Sequence, residues 1–396
     1  MCEVFVSQLK SHPSVQRFFD GAPILSPTSR TWESGVTFNA AVTFIPQTPA
    51  NRDLITQLLA STVYHHRNAG DGLVAVHYRA RPKTDPGYLI TRSYVGLAIF
   101  TPDLEMIYRF PDPIVKPETG KLDFDYLGVE DPRVTLIDGK FRMIYCGSAQ
   151  DTTGSWVGSL CSAESTDLVH WKKSGSLDLR FPKLTGDERF DDSYFDNLAG
   201  AKGTITRVNN KDGVLFPRKI NGSYYLLHRP MLGNISEWAI HLAKAESLDG
   251  PWIDVGPLFR ADPRPEFVDA WVGGGAVPID LGDGRFLEIF HTGHRAADGS
   301  RLYTMGAVVL NFNDFDPSDP ASLIESRLDH FMIPETKYEI EGPYPDSVGN
   351  VLFSCGAYER NGEIVILYGG GDTYVMAARV RKSELLSSLV PVKQTA

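Results

Sequence analysis

The sequence predicts an all-β fold, a five-bladed β-propeller, on three observations. First, an Asp-Gly or Asn-Gly pair precedes a β-rich run five times, and such pairs favour the positive φ angles of tight hairpin turns. Second, strand-like runs flank each pair on both sides. Third, the unit recurs about every 60–80 residues over nearly the whole chain, as propeller blades do. The five pairs begin at Asp71, Asp138, Asn221, Asp283 and Asn361.

The first unit differs from the others by a long insertion at about residues 47–70. Apolar residues in its ANRDLITQLLASTVYHH stretch recur near helical spacing, which predicts a short helix. We therefore expect one five-bladed domain over residues 1–396, with an N-terminal extension at 1–30 and this helical insertion in the first blade. A β-sandwich followed by a second domain is the alternative fold.

Composition and charge exclude several classes of protein. The chain carries 39 Lys and Arg against 49 Asp and Glu, a net charge of −10, and has no basic stripe for nucleic acid. Its apolar runs are of strand length, well short of the ~20 residues that span a bilayer. The N-terminus lacks a signal-peptide pattern. The four cysteines form no Cys-x-x-Cys pair and three lie in strand-like runs, which favours buried free thiols in a reducing, cytoplasmic compartment.

Polar residues cluster where the predicted inner strands begin and where the second strands end. In a propeller these positions converge on one central funnel, so residues far apart in sequence meet there. Carboxylates, amides, cations and aromatic rings together are what a sugar pocket requires. His291 and His294 have no carboxylate partner at ligand spacing, so we expect neither a metal nor another cofactor. The candidate residues are Asn39, Arg79, Arg81, Glu130, Asp131, Arg133, Lys211, Asp212, His228, Arg229, Trp271, His291 and Asp372.

Four segments carry a resemblance to a known family. GVEDPRV at 128–134 resembles the Gly-x-Glu-Asp-Pro-Arg motif of glycoside hydrolase family 130. DLVHWKKSG at 167–175, KDGVLFPRKINGSYYLLHRP at 211–230 and YGGGDTYVMAARV at 368–380 resemble later segments of that family in the same order. The similarity extends from Asn39 over nearly the whole chain, and the family is five-bladed.

The resemblance implies an inverting enzyme that cleaves β-D-mannosidic bonds of an oligosaccharide. It implies that Asp131 is the general acid, which in the family's phosphorylases acts through a sugar hydroxyl. The resemblance places Lys211 and Asp212 on the family's third inner strand. From this placement and from the funnel positions we expect substrate contacts from Asn39, Arg79, Arg92, Glu130, Lys211, Asp212, His228, Arg229 and Asp372. Burial and the adjacent Glu130 are expected to raise the pKa of Asp131, whereas an inward Arg133 would oppose this.

The nucleophile is the open question, because family members use either phosphate or water. The family's phosphorylases supply two arginines from the blade after the catalytic aspartate, but here that blade has no arginine after Arg142. We therefore expect hydrolysis slightly more than phosphorolysis, with Glu237, Glu266 or Asp269 as the base that activates water. A phosphorylase with inorganic phosphate as co-substrate, or a mannosyltransferase working in reverse, is the alternative within the family. A non-catalytic mannan-binding propeller is the alternative of another class, and a homo-oligomer is possible in any case.

Overall fold

Five antiparallel sheets surround a central axis and form a five-bladed β-propeller, which confirms the predicted fold. The computed structural model describes residues 13–62, 70–88, 91–119, 124–150, 154–182, 208–344 and 347–392. The innermost strands of blades one to four contact one another in turn, and the innermost strand of blade five contacts the second strand of blade four and the innermost strand of blade one. We number the blades one to five along the chain and count the strands of each blade outward from the axis.

Each blade has four main strands. In blade one, from the axis outward, they are Val36–Pro46, Gly72–Arg81, Tyr94–Phe100 and Met106–Arg109. In blade two they are Gly128–Ile137, Lys140–Gln150, Trp156–Ser165 and Lys172–Ser176. In blade three they are Asn210–Leu215, Tyr224–Pro230, Ala239–Ala245 and Trp252–Arg260, with Leu179–Arg180 added in parallel at the edge.

The last two blades carry small additions to this pattern. Blade four has Asp269–Gly274, Arg285–Arg295, Arg301–Asn311 and Ile324–Met332, with Ile279–Gly282 beside its second strand and Val390–Pro391 at its edge. Blade five has Leu352–Arg360, Glu363–Gly370, Tyr374–Arg381 and Val15–Arg17. Within the described ranges the α-helices are Arg52–Ala60, Lys337–Ile340 and Lys382–Ser388. The 3₁₀ turns of the same ranges are Phe18–Gly21, Thr31–Glu33, Pro49–Asn51, Ile235–Glu237 and Pro320–Leu323.

Four of the five Asp-Gly or Asn-Gly pairs form the predicted tight turns. In the pairs that begin at Asp138, Asn221, Asp283 and Asn361, both residues have positive φ angles. The pair at Asp71 does not, because the insertion replaces the tight turn of that hairpin. The predicted helix lies in this insertion at Arg52–Ala60, and residues 63–69 lie outside the described part of the chain.

The N-terminal segment closes the ring, a role that the sequence did not indicate. Val15–Arg17 pairs with Tyr374–Arg381 and supplies the outer strand of blade five. The chain then crosses to blade one, where the buried carboxylate of Glu33 accepts hydrogen bonds from Arg109 at 2.6 Å and from the Tyr78 hydroxyl at 2.7 Å. The extension therefore joins the last blade to the first.

The apolar cores lie between neighbouring blades, and the core between blades one and two contains Cys161. Cys146, Cys161 and Cys355 are buried and unpaired, which confirms the expectation for these three, while Cys2 lies outside the described residues. No helix in the described ranges is long and apolar enough to cross a membrane.

Candidate active site

Three successive inner strands carry the same bulge, and each bulge presents a polar side chain near the axis. The pairing with the second strand is interrupted at Asn39, at Asp131 and at Asp212, and each of these residues has a positive φ angle. Asn and Asp tolerate this conformation better than most residues do. The repeated bulge explains why these three side chains meet although the chain separates them widely.

Asp131 is buried and surrounded by donors from three strands. The Asn39 amide donates to its Oδ1 at 2.8 Å, and Arg79 donates to the same oxygen at 3.0 Å. Arg133 donates to the backbone carbonyl of Asp131 at 2.9 Å. The geometry therefore fixes both the carboxylate and the main chain that carries it.

The expected direction of the pKa shift of Asp131 is wrong. Burial would raise the pKa, but the charges of Arg79, Lys211 and Arg133 outweigh it, and the pKa is held well below its usual range. Arg133 points inward and opposes the effect of burial on the pKa of Asp131, the alternative that was expected for an inward side chain. In the free protein Asp131 is therefore ionised.

Glu130 connects blade one to blade three. Its two oxygens lie 2.8 Å from Arg79 and 3.0 Å from the Lys211 ammonium. These cations keep the pKa of Glu130 lowered against the effect of burial, and in return the carboxylate raises the pKa of Lys211. Glu130 is thus a second carboxylate held ionised by paired cations.

Asp212 organises a second group of polar side chains between blades three and four. Its carboxylate lies 3.1 Å from Arg229, 3.3 Å from Arg133 and 3.6 Å from His291. A Cβ atom at Gly273 would lie 2.2 Å from the Asp212 carboxylate, so this glycine permits the close approach. The three glycines at 273–275 therefore have a packing role here.

Arg229 and His291 retain unused hydrogen-bonding capacity in this group. Among the described residues, Nε and Nη1 of Arg229 and both ring nitrogens of His291 have no hydrogen-bond partner, although all four atoms are buried. Burial lowers the pKa of His291 to about 3 despite the nearby Asp212, so the ring is neutral and still offers one N–H.

Asp372 lies at the turn after the second strand of blade five, facing the Asp131 side of the site. Burial raises the pKa of Asp372 to about 6, and the Asp131 charge adds to this while Arg79 and Arg81 oppose it. Asp372 therefore changes charge in a range where the other carboxylates of the site stay ionised.

Two of the predicted substrate-binding residues, Arg92 and His228, lie away from the contacts around Asp131 and Asp212. Arg92 pairs with Asp85 at 2.8 Å, away from these contacts. His228 is fully buried, with its two nitrogens 3.0 Å from Asn210 and 3.0 Å from Asp254. Its surroundings are those of an interior hydrogen-bonded side chain.

Of the three bases predicted for hydrolysis, Glu237 and Glu266 lie on the surface, and Asp269 is half-buried and ion-paired to Arg295. Glu237 is exposed, and its carboxylate accepts a hydrogen bond from the Asn234 backbone at the start of a 3₁₀ turn. Glu266 is exposed on the loop before blade four. The carboxylate of the buried Asp131 is contacted by cations and an amide and by none of these candidates. The structure therefore gives no support to any of them as the base.

One cluster in the described part of the chain has side chains suited to a metal, namely His228, His241 and Asp254. Both histidines lie 3.0 Å from the same oxygen of Asp254, which is the spacing of hydrogen bonds. These hydrogen bonds lower the pKa of Asp254 against the effect of burial. The cluster is satisfied as a hydrogen-bonded network.

Three aromatic residues near the site were missed by the sequence reasoning. Trp156, Trp238 and Tyr303 contact Lys211, Arg229 and His291, respectively. A repeat signal could have revealed them, because each blade has an aromatic residue at the first residue of its third strand, just before it, or two residues after it. The five residues are Tyr94, Trp156, Trp238, Tyr303 and Tyr374.

Comparison with known proteins identifies the family. A sequence model described as β-1,4-mannooligosaccharide phosphorylase, of glycoside hydrolase family 130, matches residues 74–390. The chain is 29% identical over 367 residues to the 1,2-β-oligomannan phosphorylase of Thermoanaerobacter sp. (strain X514), covering 92% of this chain and 96% of the relative. It is 34% identical over 195 residues to the β-1,2-mannobiose phosphorylase of Listeria innocua, covering 49% of this chain and 50% of the relative.

Solved structures agree with the fold. The β-1,2-mannobiose phosphorylase from Listeria innocua, solved with β-1,2-mannobiose, has a TM-score of 0.65 at 21% identity and covers 95% of this chain and 99% of its own. The sequence-based preference for hydrolysis is not supported by these relatives, which are named as phosphorylases. The family match extends over most of the sequence, and the chain belongs to glycoside hydrolase family 130.

Proposed function

We propose that this protein is a β-mannoside phosphorylase that acts on β-1,2-linked manno-oligosaccharides. The bond between the anomeric carbon and the leaving oxygen breaks, and a phosphate oxygen bonds to that carbon from the opposite face. A proton passes to the leaving oxygen. The products are α-mannose 1-phosphate and a shortened sugar, and the names of the relatives support both the linkage and the nucleophile.

The observation that carries the proposal is the unused capacity of Arg229. It is buried and ion-paired to Asp212 through one nitrogen, while Nε and Nη1 have no partner among the described residues. Leaving buried charged donors unsatisfied is costly, and a guanidinium N–H donates a strong charge-assisted hydrogen bond to a phosphate oxygen. The neutral His291 beside it adds a further donor.

The absence of arginine in blade two after Arg142 therefore does not exclude phosphate. Arg142 itself points to Glu164 at 3.4 Å and Asp249 at 3.5 Å, outside the site. Blades three and four supply the donors instead, through Arg229 and His291.

The ionisation of Asp131 also favours an anionic nucleophile. Four cations surround the site's carboxylates, and those near Asp131 keep it deprotonated in the free protein. A bound phosphate would offset part of that positive charge, and the pKa of Asp131 would rise toward the value that a proton donor needs. Water would bring no such charge.

The test is turnover of β-1,2-mannobiose in phosphate-free buffer and in rising phosphate. We expect the rate to rise from near zero and mannose 1-phosphate to appear in equal amount to free mannose. Release of two mannose molecules at a rate independent of phosphate would establish hydrolysis and refute the proposal.

A further inference from the structure

One side chain of the N-terminal strand Val15–Arg17 contacts an element outside the sheet that the strand completes. The backbone of the strand pairs with blade five and closes the ring. The Arg17 side chain instead contacts the short helix Lys337–Ile340, which precedes the inner strand of that blade. This side chain is only 12% exposed although it is charged. A buried guanidinium requires fixed partners, and those partners show what it holds in place.

Arg17 uses all three guanidinium nitrogens. Its Nε and Nη2 donate to the two oxygens of Glu339 at 2.7 and 3.1 Å. Nη1 donates to Glu335, and Nη2 also donates to the Ile333 carbonyl at 2.8 Å. Glu339 is fully buried, accepts a hydrogen bond from the Tyr368 hydroxyl at 2.7 Å, and caps its own helix by accepting from two backbone N–H groups at 2.7 and 2.9 Å. Arg17 therefore fixes the start of the helix.

The end of this helix lies against the turn that carries Asp372. Gly371 immediately precedes Asp372, and a Cβ atom at Gly371 would lie 2.0 Å from the carbonyl oxygen of Glu341 and 2.7 Å from that of Tyr338. The main chain passes this close only because residue 371 is glycine. Since these main-chain atoms are in contact, a displaced helix would move the turn with it.

The loop after the helix also holds the Asp372 carboxylate, which accepts a hydrogen bond from the backbone of Val348. On its other side Asp372 faces groups that come from other blades. Two of these, Arg79 and Asp131, are fixed by their own ion pair at 3.0 Å. The position of Asp372 relative to them therefore depends on how the helix and its following loop are held. The titratable groups that act on Asp372 from the other blades are Arg79, Arg81, Asp131 and Tyr303.

We propose that Arg17 is a positioning residue for Asp372. Through Glu339 and the helix Lys337–Ile340, it holds the turn that presents the Asp372 carboxylate to the sugar. The inference rests on the proposed function and on the predicted contact between Asp372 and substrate, and it gives the N-terminal strand a role in substrate binding besides ring closure. A contact that binds the sugar equally before and during reaction affects KM and leaves kcat unchanged.

The experiment measures kcat and KM for β-1,2-mannobiose at saturating phosphate in Arg17→Met, Asp372→Asn and the double variant. Asp372→Asn should raise KM about tenfold, the scale of one hydrogen bond to a charged group, and Arg17→Met about fivefold, with kcat within about twofold. The double variant should match Asp372→Asn, because Arg17 acts on the sugar through Asp372. Independent effects would instead multiply, to about 50-fold.

Arg379→Met is the matched control. The Arg379 guanidinium also binds the N-terminal strand, with Nη2 donating to Gln16 at 2.8 Å, but it lies at the surface and is 38% exposed. This variant should leave KM within about twofold. Glu339→Gln is a second, milder variant, because it removes the ion pair and leaves the other contacts of Arg17 in place. It should raise KM about threefold.

Effects of Arg17→Met and Asp372→Asn that multiply in the double variant would overturn the inference. So would a KM that neither Arg17→Met nor Glu339→Gln changes, or an equal change in Arg379→Met. If mannobiose is cleaved at a rate independent of phosphate, the proposed function fails, while the double variant still decides the inference. If the unaltered protein neither binds nor cleaves mannobiose, both fail.

Discussion

Replacing Arg229 by glutamine removes the free guanidinium donors that we assign to phosphate while keeping a polar side chain. In the free protein Arg229 contacts Asp212 at 3.1 Å, and its Nε and Nη1 have no partner among the described residues. With phosphate bound, one of these two nitrogens would donate a charge-assisted hydrogen bond to it. The variant therefore loses a hydrogen bond that forms only when phosphate is bound.

The size of the effect follows from that bond. A hydrogen bond to a charged group contributes about 1.5–3 kcal/mol, so losing it should cost about 2 kcal/mol. That corresponds to a fall of about 30-fold in kcat/KM for phosphate. Breaking the buried pair with Asp212 should also lower the free energy of unfolding, by about 3 kcal/mol.

The assay is initial-rate release of mannose 1-phosphate with phosphate and β-1,2-mannobiose varied in turn. Arg142→Gln is the control, because Arg142 pairs with Glu164 and Asp249 outside the site. It should leave both kinetic constants within about twofold. The reasoning is refuted if Arg229→Gln changes kcat/KM for phosphate less than about threefold while it remains folded by circular dichroism.

Further predictions concern three single positions. Asp131→Asn should lower turnover by about 10²–10⁴-fold with sugar binding retained by calorimetry; equal loss of binding would argue against an acid. If the Asp372 carboxylate accepts a sugar hydroxyl, its pKa of about 6 means that KM for mannobiose should rise below pH 6 and that Asp372→Asn should flatten the profile. The raised pKa also means that Asp372 contributes stability at low pH which is lost as pH rises through 6, so the variant should lose less stability between pH 4 and 7. Arg133→Met should cost about 3–5 kcal/mol in urea unfolding, since the partners of a fully buried guanidinium are left unsatisfied; a cost below about 1 kcal/mol would contradict this.

Local sequence patterns were sufficient for the architecture. An Asp-Gly or Asn-Gly pair sets the backbone angles of its own turn, so the hairpins and their repeat could be read without tertiary information. The repeat in turn predicted that Asn39, Asp131 and Asp212 would converge. The strand Val15–Arg17 escaped notice because three residues carry no periodic pattern, and its place beside blade five depends on ring closure.

The chemistry of the site depended on distances that sequence separation does not encode. The pKa of Asp131 is lowered by cations from blades one to three, and the effect of each depends on distances of a few ångströms. The positions of His228 and Glu237 also depend on tertiary contacts. His228 is held in the interior by Asn210 and Asp254, and the Glu237 carboxylate caps a turn.

The sequence by itself determined the blades, the turns that join their strands and the set of polar residues that the inner strands present, because these follow from local backbone preferences and from a repeat. Only the tertiary structure decided which cations face which carboxylates, that Asp131 is ionised, and that Arg229 retains unused donors beside Trp238. Those properties are sums of electrostatic and hydrogen-bonding terms over atoms from different blades, so they exist only once the ring has closed.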